Sequence, residues 1–192
     1  MKKLQQLWLA ASFMLVSSLA FAAPSKYVID TQGMHASVNF KIMHLGYSWL
    51  TGRFEKFSGD FTYDPENLSN SKIAVKIDTD SVSTNHAERD KHLRSADFLN
   101  VKKYPEATFV SDSISGADEE MLVKGKFTLN GVTKEITIVA HKIGEGKDPW
   151  GGYRSGFSGA TKIKMADYGI TYDLGPASAE VFLELNIEGV KK

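Results

Sequence analysis

Apolar and polar residues alternate with a period of two along most of the chain after residue 23. Val38, Phe40 and Ile42 fall on one face of such a segment, and the polar residues between them fall on the other. Parallel strands buried on both faces would instead read as continuous apolar runs, so the pattern predicts an antiparallel sheet with one buried face. It recurs in five further segments: 72–78, 121–129, 136–138, 157–165 and 181–187.

Turn signals separate these segments. Asn130-Gly131 stands between two alternating runs and predicts a tight hairpin, because both residues tolerate a positive φ. Further turn signals lie at 64–67, 116–119 and 148–152. Long antiparallel strands that pair with their sequence neighbours tend to close, since closure removes the exposed edges. The sequence therefore predicts an all-β fold, an antiparallel β-barrel of about eight strands.

One segment breaks the alternation. Residues 85–99 predict a short helix, with Asn85 as N-cap and Glu88 reaching back to it in a capping box. A single helical excursion between strands would lie over one end of the barrel.

The N-terminus has the features of a secretory signal peptide. Lys2 and Lys3 precede an apolar run over residues 7–19, and Ala20-Phe21-Ala22 has the small-x-small pattern of a cleavage site. The alternative is a retained anchor helix, but this run is shorter than the roughly 20 residues that span a bilayer. We therefore expect cleavage near Ala22, export, and a single β-barrel domain over residues 23–192.

Charge and cysteine content narrow the classes of partner. Without Lys2 and Lys3, 21 basic side chains stand against 23 acidic ones, a formal charge of −2. That balance argues against nucleic acid or an anionic membrane surface as partner. The chain has no Cys, so burial rather than disulfides must stabilise the exported domain.

Catalytic and metal-binding patterns are weak. Ser158 lacks the nucleophile-elbow context of a hydrolase. His86, Glu88, Asp90 and His92 concentrate titratable groups, but helical spacing directs His86 and His92 to different sides, so they would not share an ion. We assign no catalytic residue and no metal site, and interpret the segment as a solvated helix.

Aromatic residues are dense between residues 40 and 63. They would fill a core, or line a tube, because a barrel of about eight strands has room for one small ligand when its side chains leave the interior open.

Several motifs are similar to those of the YceI family of periplasmic proteins, and the similarity covers essentially the whole chain after the signal peptide. They are His-Leu-Gly-Tyr-Ser-Trp at 44–49, the segment 84–99 with its Arg-Asp-Lys-His-Leu-Arg-Ser core at 89–95, Tyr-Pro at 104–105 with Phe109, Leu-Asn-Gly-Val-Thr at 129–133, and Asp-Leu-Gly-Pro-Ala-Ser at 173–178.

The resemblance implies a lipocalin-like barrel, often dimeric, that encloses a long isoprenoid chain in the periplasm. The family offers no catalytic residue that could be carried over to this chain. We also expect no resident cofactor and no stable membrane insertion. An isoprenoid quinone is one cargo consistent with it.

This hypothesis assigns two sets of ligand-binding residues. The predicted lumen residues are Phe40, Ile42, Phe54, Phe61, Ile73, Val75, Phe127 and Phe157. The predicted mouth residues, near the polar head of the ligand, are His44, Tyr47, Trp49, Arg89 and His92. A shift of one residue in strand phase would move any lumen residue to the outer face.

Two other functions stay open at this point. One is a structural or stress-related envelope protein whose barrel is filled by its own side chains. The other is an enzyme that acts on a lipid or small amphiphile with an acid/base pair drawn from His86, Asp90 and His92.

Overall fold

The computed structural model describes residues 24–192. The predicted signal peptide, residues 1–22, lies outside the described residues. The strands and the helix are β1 (Ser25–Ile29), β2 (Ser37–His44), β3 (Ser48–Phe54), β4 (Phe57–Tyr63), β5 (Lys72–Asp78), β6 (Val82–Ser83), α1 (Ala87–Leu93), β7 (Glu106–Ala117), β8 (Glu120–Leu129), β9 (Val132–Lys147), β10 (Tyr153–Lys164) and β11 (Glu180–Lys191).

The strands form one antiparallel sheet that closes on itself. Its order is β1-β4-β5-β7-β8-β9-β10-β11, and β1 also pairs with β11, with Tyr27 opposite Lys191 and Ile29 opposite Gly189. This pairing closes an eight-stranded barrel, so the predicted fold class and strand number are confirmed. β2 and β3 continue the wall beside the other half of β11.

The hairpin prediction at Asn130-Gly131 is confirmed. Leu129 pairs with Val132 across the turn, and Asn130 and Gly131 have φ angles of 50° and 74°. Both angles lie in the left-handed region that Asn and Gly tolerate, which explains why these two residues stand between β8 and β9.

The connections at one end, here called the mouth end, contact one another. They are the β2–β3 turn, α1, the β8–β9 turn and the segment 165–179 between β10 and β11. Ser178 Oγ donates to the Met43 carbonyl at 2.6 Å, and Asn130 Nδ2 donates to the Tyr168 carbonyl at 3.1 Å. The opposite, base end carries the turns after β4, β7 and β9.

The helical excursion is confirmed, but its predicted cap is wrong. His86, not Asn85, is the N-cap of α1, and its Nδ1 accepts the Arg89 N–H at 3.3 Å. An N-cap requires an extended backbone, which His86 has, whereas Asn85 has a φ of 60°. The tight turn into the helix therefore uses the tolerance of Asn for the left-handed region rather than its side-chain oxygen.

Aromatic side chains pack inside the barrel towards the base end. The Tyr27 and Phe61 rings stack with their centroids 4.8 Å apart, and Phe157 contacts Phe61 and Tyr63 edge-on at 5.6 and 5.2 Å. These rings belong to the buried core beneath β1, β4, β10 and β11.

Arg154 joins three parts of the base end. Its guanidinium lies 2.6 Å from Asp30 after β1, 2.9 Å from Asp148 in the β9–β10 turn, and 2.7 Å from Glu188 on β11. The Arg154 guanidinium and the Gly33 N–H lower the pKa of Asp30 from 3.8 to about 2. The closing seam of the barrel is thus held by charge-assisted hydrogen bonds as well as by strand pairing.

We expect this network to make stability depend on pH. Because the pKa of Asp30 is lower in the folded protein, its contribution is complete above about pH 4 and is lost as the pH falls towards 2. Asp30→Asn should therefore lower the free energy of unfolding at neutral pH by about 1 kcal/mol, with a difference from wild type that shrinks below pH 4. Urea unfolding between pH 7 and pH 2.5 measures this.

The matched control is Glu106→Gln, which removes the exposed ion pair with Lys76. Its effect should stay below about 0.5 kcal/mol, as is usual for exposed pairs. A constant difference between Asp30→Asn and wild type across this pH range would contradict the assignment.

Candidate ligand-binding cavity

A cavity of about 790 Å³ occupies the inside of the barrel and reaches the mouth end. This volume lies within the roughly 300–1,000 Å³ of typical small-molecule pockets. Its wall is overwhelmingly apolar, and most of its polar side chains gather at the mouth end, where they are His44, Arg89, His92, Asp173 and Ser178.

The alternation of the strands builds this wall. On β11, Leu183 and Leu185 line the cavity and stay half-buried, while the intervening Glu184 is exposed and bonds to Lys41 outside the barrel. Side chains of one parity point inwards all around a closed sheet, so an apolar alternation becomes an apolar interior.

The structure places all eight predicted lumen residues in the cavity wall: Phe40, Ile42, Phe54, Phe61, Ile73, Val75, Phe127 and Phe157. They come from β2, β3, β4, β5, β8 and β10, so strands far apart in sequence bring them to one space.

The predicted mouth residues divide into two groups. His44, Arg89 and His92 line the cavity, whereas Tyr47 and Trp49 do not. Trp49 follows the opposite parity to the cavity-lining Leu50, and its ring packs edge-on against Phe182 on the outer face at 5.4 Å. Tyr47 lies in the β2–β3 turn and is 87 % exposed.

Hydrogen bonds fix the two cavity-lining residues of α1. Arg89 donates from Nε to Thr84 Oγ1 at 2.7 Å and from Nη2 to the Thr84 carbonyl at 2.8 Å. His92 Nε2 lies 2.9 Å from Asp97 Oδ2, and its ring contacts Phe98 and Tyr172 edge-on. These contacts hold the Arg89 guanidinium and the His92 imidazole in defined positions at the mouth.

The acid/base set of the enzyme hypothesis is not assembled on the cavity. The buried Asp90 accepts hydrogen bonds from the N–H and hydroxyl of Thr84. His86 caps the helix through Nδ1, so His92 is the member of the set that reaches the cavity wall.

A polar cluster closes the base end of the cavity. The cavity-lining Tyr63 donates through its hydroxyl to Asp118, and Lys142 Nζ donates to that hydroxyl at 3.2 Å. Lys142 also lies 3.2 Å from Asp118 and 3.2 Å from Glu145. Burial together with the bond to Asp118 raises the pKa of Tyr63 to about 12. Burial opposes the charge on Lys142, but its three oxygen partners outweigh this and raise its pKa, so the ammonium stays charged.

The sequence analysis did not identify this cluster. Lys142 pairs with Phe157 and continues the parity of Ile138 and Ala140, so the alternation itself contained the signal that an ammonium would face inwards. It also missed Ile170, Tyr172 and Leu174, which line the cavity from the segment 165–179, because irregular backbone has no periodic pattern.

Asp30, His35 and Glu188 form a group of possible metal ligands whose donor atoms lie within 4.8 Å of one another. Arg154 lies between two of them, 2.6 Å from Asp30 and 2.7 Å from Glu188. Since a guanidinium already neutralises these carboxylates, the group is an ion-pair network.

Comparison with known proteins identifies the family to which this chain belongs. A YceI-like domain matches residues 27–189. A UPF0312 protein from Shewanella sp. strain MR-7 is 56 % identical over 193 residues, covering 100 % of both chains. The chain belongs to the YceI family.

Solved structures share the fold. The YCEI protein of Campylobacter jejuni is 32 % identical with a TM-score of 0.71, over 79 % of this chain and 90 % of that one. A polyisoprenoid-binding domain from Saccharophagus degradans has a TM-score of 0.65 at 19 % identity, over 86 % and 98 % of the two chains. This second likeness concerns the fold.

None of the helices within residues 24–192 has the length and apolar character needed to cross a bilayer.

Free space inside the barrel should make its wall tolerant of larger side chains. We expect Leu183→Trp to cost less than about 1 kcal/mol of unfolding free energy, because the larger side chain enters the cavity. Ile29→Trp should cost about 1–3 kcal/mol, since Ile29 is buried in the base-end core and does not line the cavity. Urea unfolding of both variants measures the contrast, and equal losses would mean that the interior is already filled.

Proposed function

We propose that this YceI-family protein binds a long-chain isoprenoid lipid, with the apolar tail in the barrel and the polar head at the mouth. The observation that carries the proposal is the apolar cavity of about 790 Å³, with most of its polar lining side chains at the mouth end. The polyisoprenoid-binding domain with the same fold supports this ligand class. Such a protein would store or carry a lipid that water does not dissolve.

The eight lumen residues, among them Phe40 and Phe157, would contact the tail by dispersion and burial alone. His44, Arg89 and His92 would face the head. Their hydrogen-bonding groups suit a head group that contains oxygen. We therefore propose an isoprenoid quinone or a prenol as the specific ligand.

Cavity volume sets the length of tail that fits. At about 30 Å³ for each water-sized group, the space holds on the order of 25 carbon atoms, about five prenyl units. At about 0.3 kcal/mol per non-hydrogen atom this gives about −7.5 kcal/mol, a dissociation constant in the low micromolar range. No charge is needed for such affinity.

The cavity also separates this proposal from its alternatives. A structural protein with a filled barrel would not leave this volume beside half-buried inward side chains such as Leu183 and Leu185. An enzyme needs reactive groups that converge at the substrate, and Asp90 and His86 are engaged elsewhere.

Prenyl chain length should govern affinity. We expect binding to strengthen from farnesol to geranylgeraniol and to level off for solanesol, because units beyond about the fifth would extend past the mouth. Leu183→Trp should weaken binding of the longer prenols more than of farnesol, since the larger side chain reduces the free volume of the cavity. Titration of the delipidated protein, monitored by native mass spectrometry, measures both effects. The same spectra give the number of subunits and so test whether the protein forms the homodimer that the family resemblance implies.

Protein that takes up none of these prenols after delipidation, and carries no lipid when purified from its own cell envelope, would contradict the proposed function.

We propose further that the protein is exported to the periplasm and that its signal peptide is removed. The support is the sequence of residues 1–22, with its basic start, apolar run and Ala20-Phe21-Ala22 site. Intact-mass measurement of the protein from the periplasmic fraction should give a chain that begins at Ala23. A mass that retains residues 1–22 would refute cleavage.

A further inference from the structure

The mouth end carries exposed apolar side chains that are continuous with the cavity. Leu45 and Tyr172 both line the cavity and are 58 % and 45 % exposed. Tyr47, between Leu45 and Trp49 in sequence, is more exposed still, and Trp49 is 47 % exposed. These four residues are here called the apolar rim.

The backbone at Leu45 is unusual for leucine. Leu45 and Gly46 have φ angles of 52° and 82°, close to the 50° and 74° of Asn130 and Gly131 in the β8–β9 turn. The left-handed region suits Asn and disfavours Leu, whose Cβ crowds the following carbonyl. At the mouth end, the β8–β9 turn thus has the favoured Asn130, whereas the β2–β3 turn has a strained, solvent-exposed Leu45. Folding of the β2–β3 turn does not by itself require a leucine at this position.

We propose that the apolar rim docks on the surface of a lipid bilayer, so that an isoprenoid passes between membrane and cavity without crossing water. This rests on the proposed function and names the source of its ligand.

Three features favour a bilayer as the occupant. Any surface that covers Leu45 and Tyr172 also covers the cavity opening, and a bilayer is the phase in which an isoprenoid dissolves. Tyr and Trp, with an apolar body and a polar tip, are the side chains that favour membrane interfaces. Residues 42–52, which hold three of the four rim residues, contain no Asp or Glu, so docking of this segment desolvates no carboxylate of its own. Asp173, beside Tyr172 at the mouth, would remain at the polar surface of the bilayer.

The two ends of the barrel supply a built-in comparison. Trp49 lies at the rim, whereas Trp150 lies in the β9–β10 turn at the base end and is 76 % exposed. Ile143 on β9, towards the same base end, is 69 % exposed. Each end of the barrel therefore offers one exposed aliphatic side chain and one exposed tryptophan for comparison. They are Leu45 and Trp49 at the mouth end, and Ile143 and Trp150 at the base end.

Tryptophan fluorescence tests docking directly. In the chain that begins at Ala23, Trp150→Phe leaves Trp49 as the reporter and Trp49→Phe leaves Trp150. Phosphatidylcholine vesicles without isoprenoid should shift the Trp49 emission to the blue and protect it from acrylamide, and should leave Trp150 unchanged. Because the contact is apolar, the Trp49 response should persist in high salt. Vesicles that leave Trp49 unaffected, or that protect Trp150 equally, would overturn the proposal and direct the search to a protein partner.

Transfer kinetics give the second test. Leu45→Asn and Tyr47→Ser should each slow uptake of geranylgeraniol from these vesicles by roughly tenfold or more, since full burial of a large apolar side chain contributes at least about this factor. Leu45→Asn should unfold at the same temperature as wild type or higher, because Asn suits the turn. Ile143→Asn, the matched control, should take up the prenol at the wild-type rate.

Loading from detergent micelles separates this proposal from the proposed function. Tyr47→Ser should load from micelles as wild type does, because Tyr47 lies outside the cavity wall. Normal micelle loading together with unchanged vesicle uptake in both rim variants would overturn docking and leave lipid binding intact. Failure of the wild type to load from micelles would overturn lipid binding, while the fluorescence result would still decide docking.

Discussion

Closure of the antiparallel sheet is the constraint on which the rest of the structure depends. The pairing of β1 with β11 closes eight strands into a barrel, so every second side chain of each strand faces one enclosed space. The number of strands then sets the width of that space before any side chain is chosen. Side chains such as Leu183 and Val75 line it without filling it, and the remaining volume is the cavity.

The two ends of the barrel differ in how they are closed and in which side chains they expose. The base end is closed by aromatic packing, by the contacts of Lys142 with Tyr63 and Asp118, and by the Arg154 network. At the mouth end, irregular segments and α1 lie over the opening, and apolar side chains remain in solvent. Polar closure at one end and an apolar rim at the other make the two ends of the cavity chemically different, and the lipid orientation that we propose rests on this difference.

Local pattern predicted those features that depend on local chemistry. Alternation predicted the strands and grouped Phe40, Phe61 and Phe157 with the apolar faces, but which face points inwards was an assumption; in the structure these three residues line the cavity. Asn130-Gly131 predicted its hairpin because few other residue pairs accept those angles. The mouth residues are harder to predict, because residue type alone points to Tyr47 and Trp49. Tyr47 lies in a turn whose orientation depends on the strands it joins, and Trp49 lies on β3 with the parity of the outer face.

The sequence by itself determined a closed antiparallel barrel, its apolar interior and its membership of the YceI family, because period-two patterning and family motifs are properties of the chain. Tertiary structure alone decided how much of the interior stays empty, that Lys142 meets Tyr63 and Asp118, and that Leu45 borders the opening. Those facts depend on the register between strands distant in sequence, and a change of one residue in register would give a different wall from the same alternation.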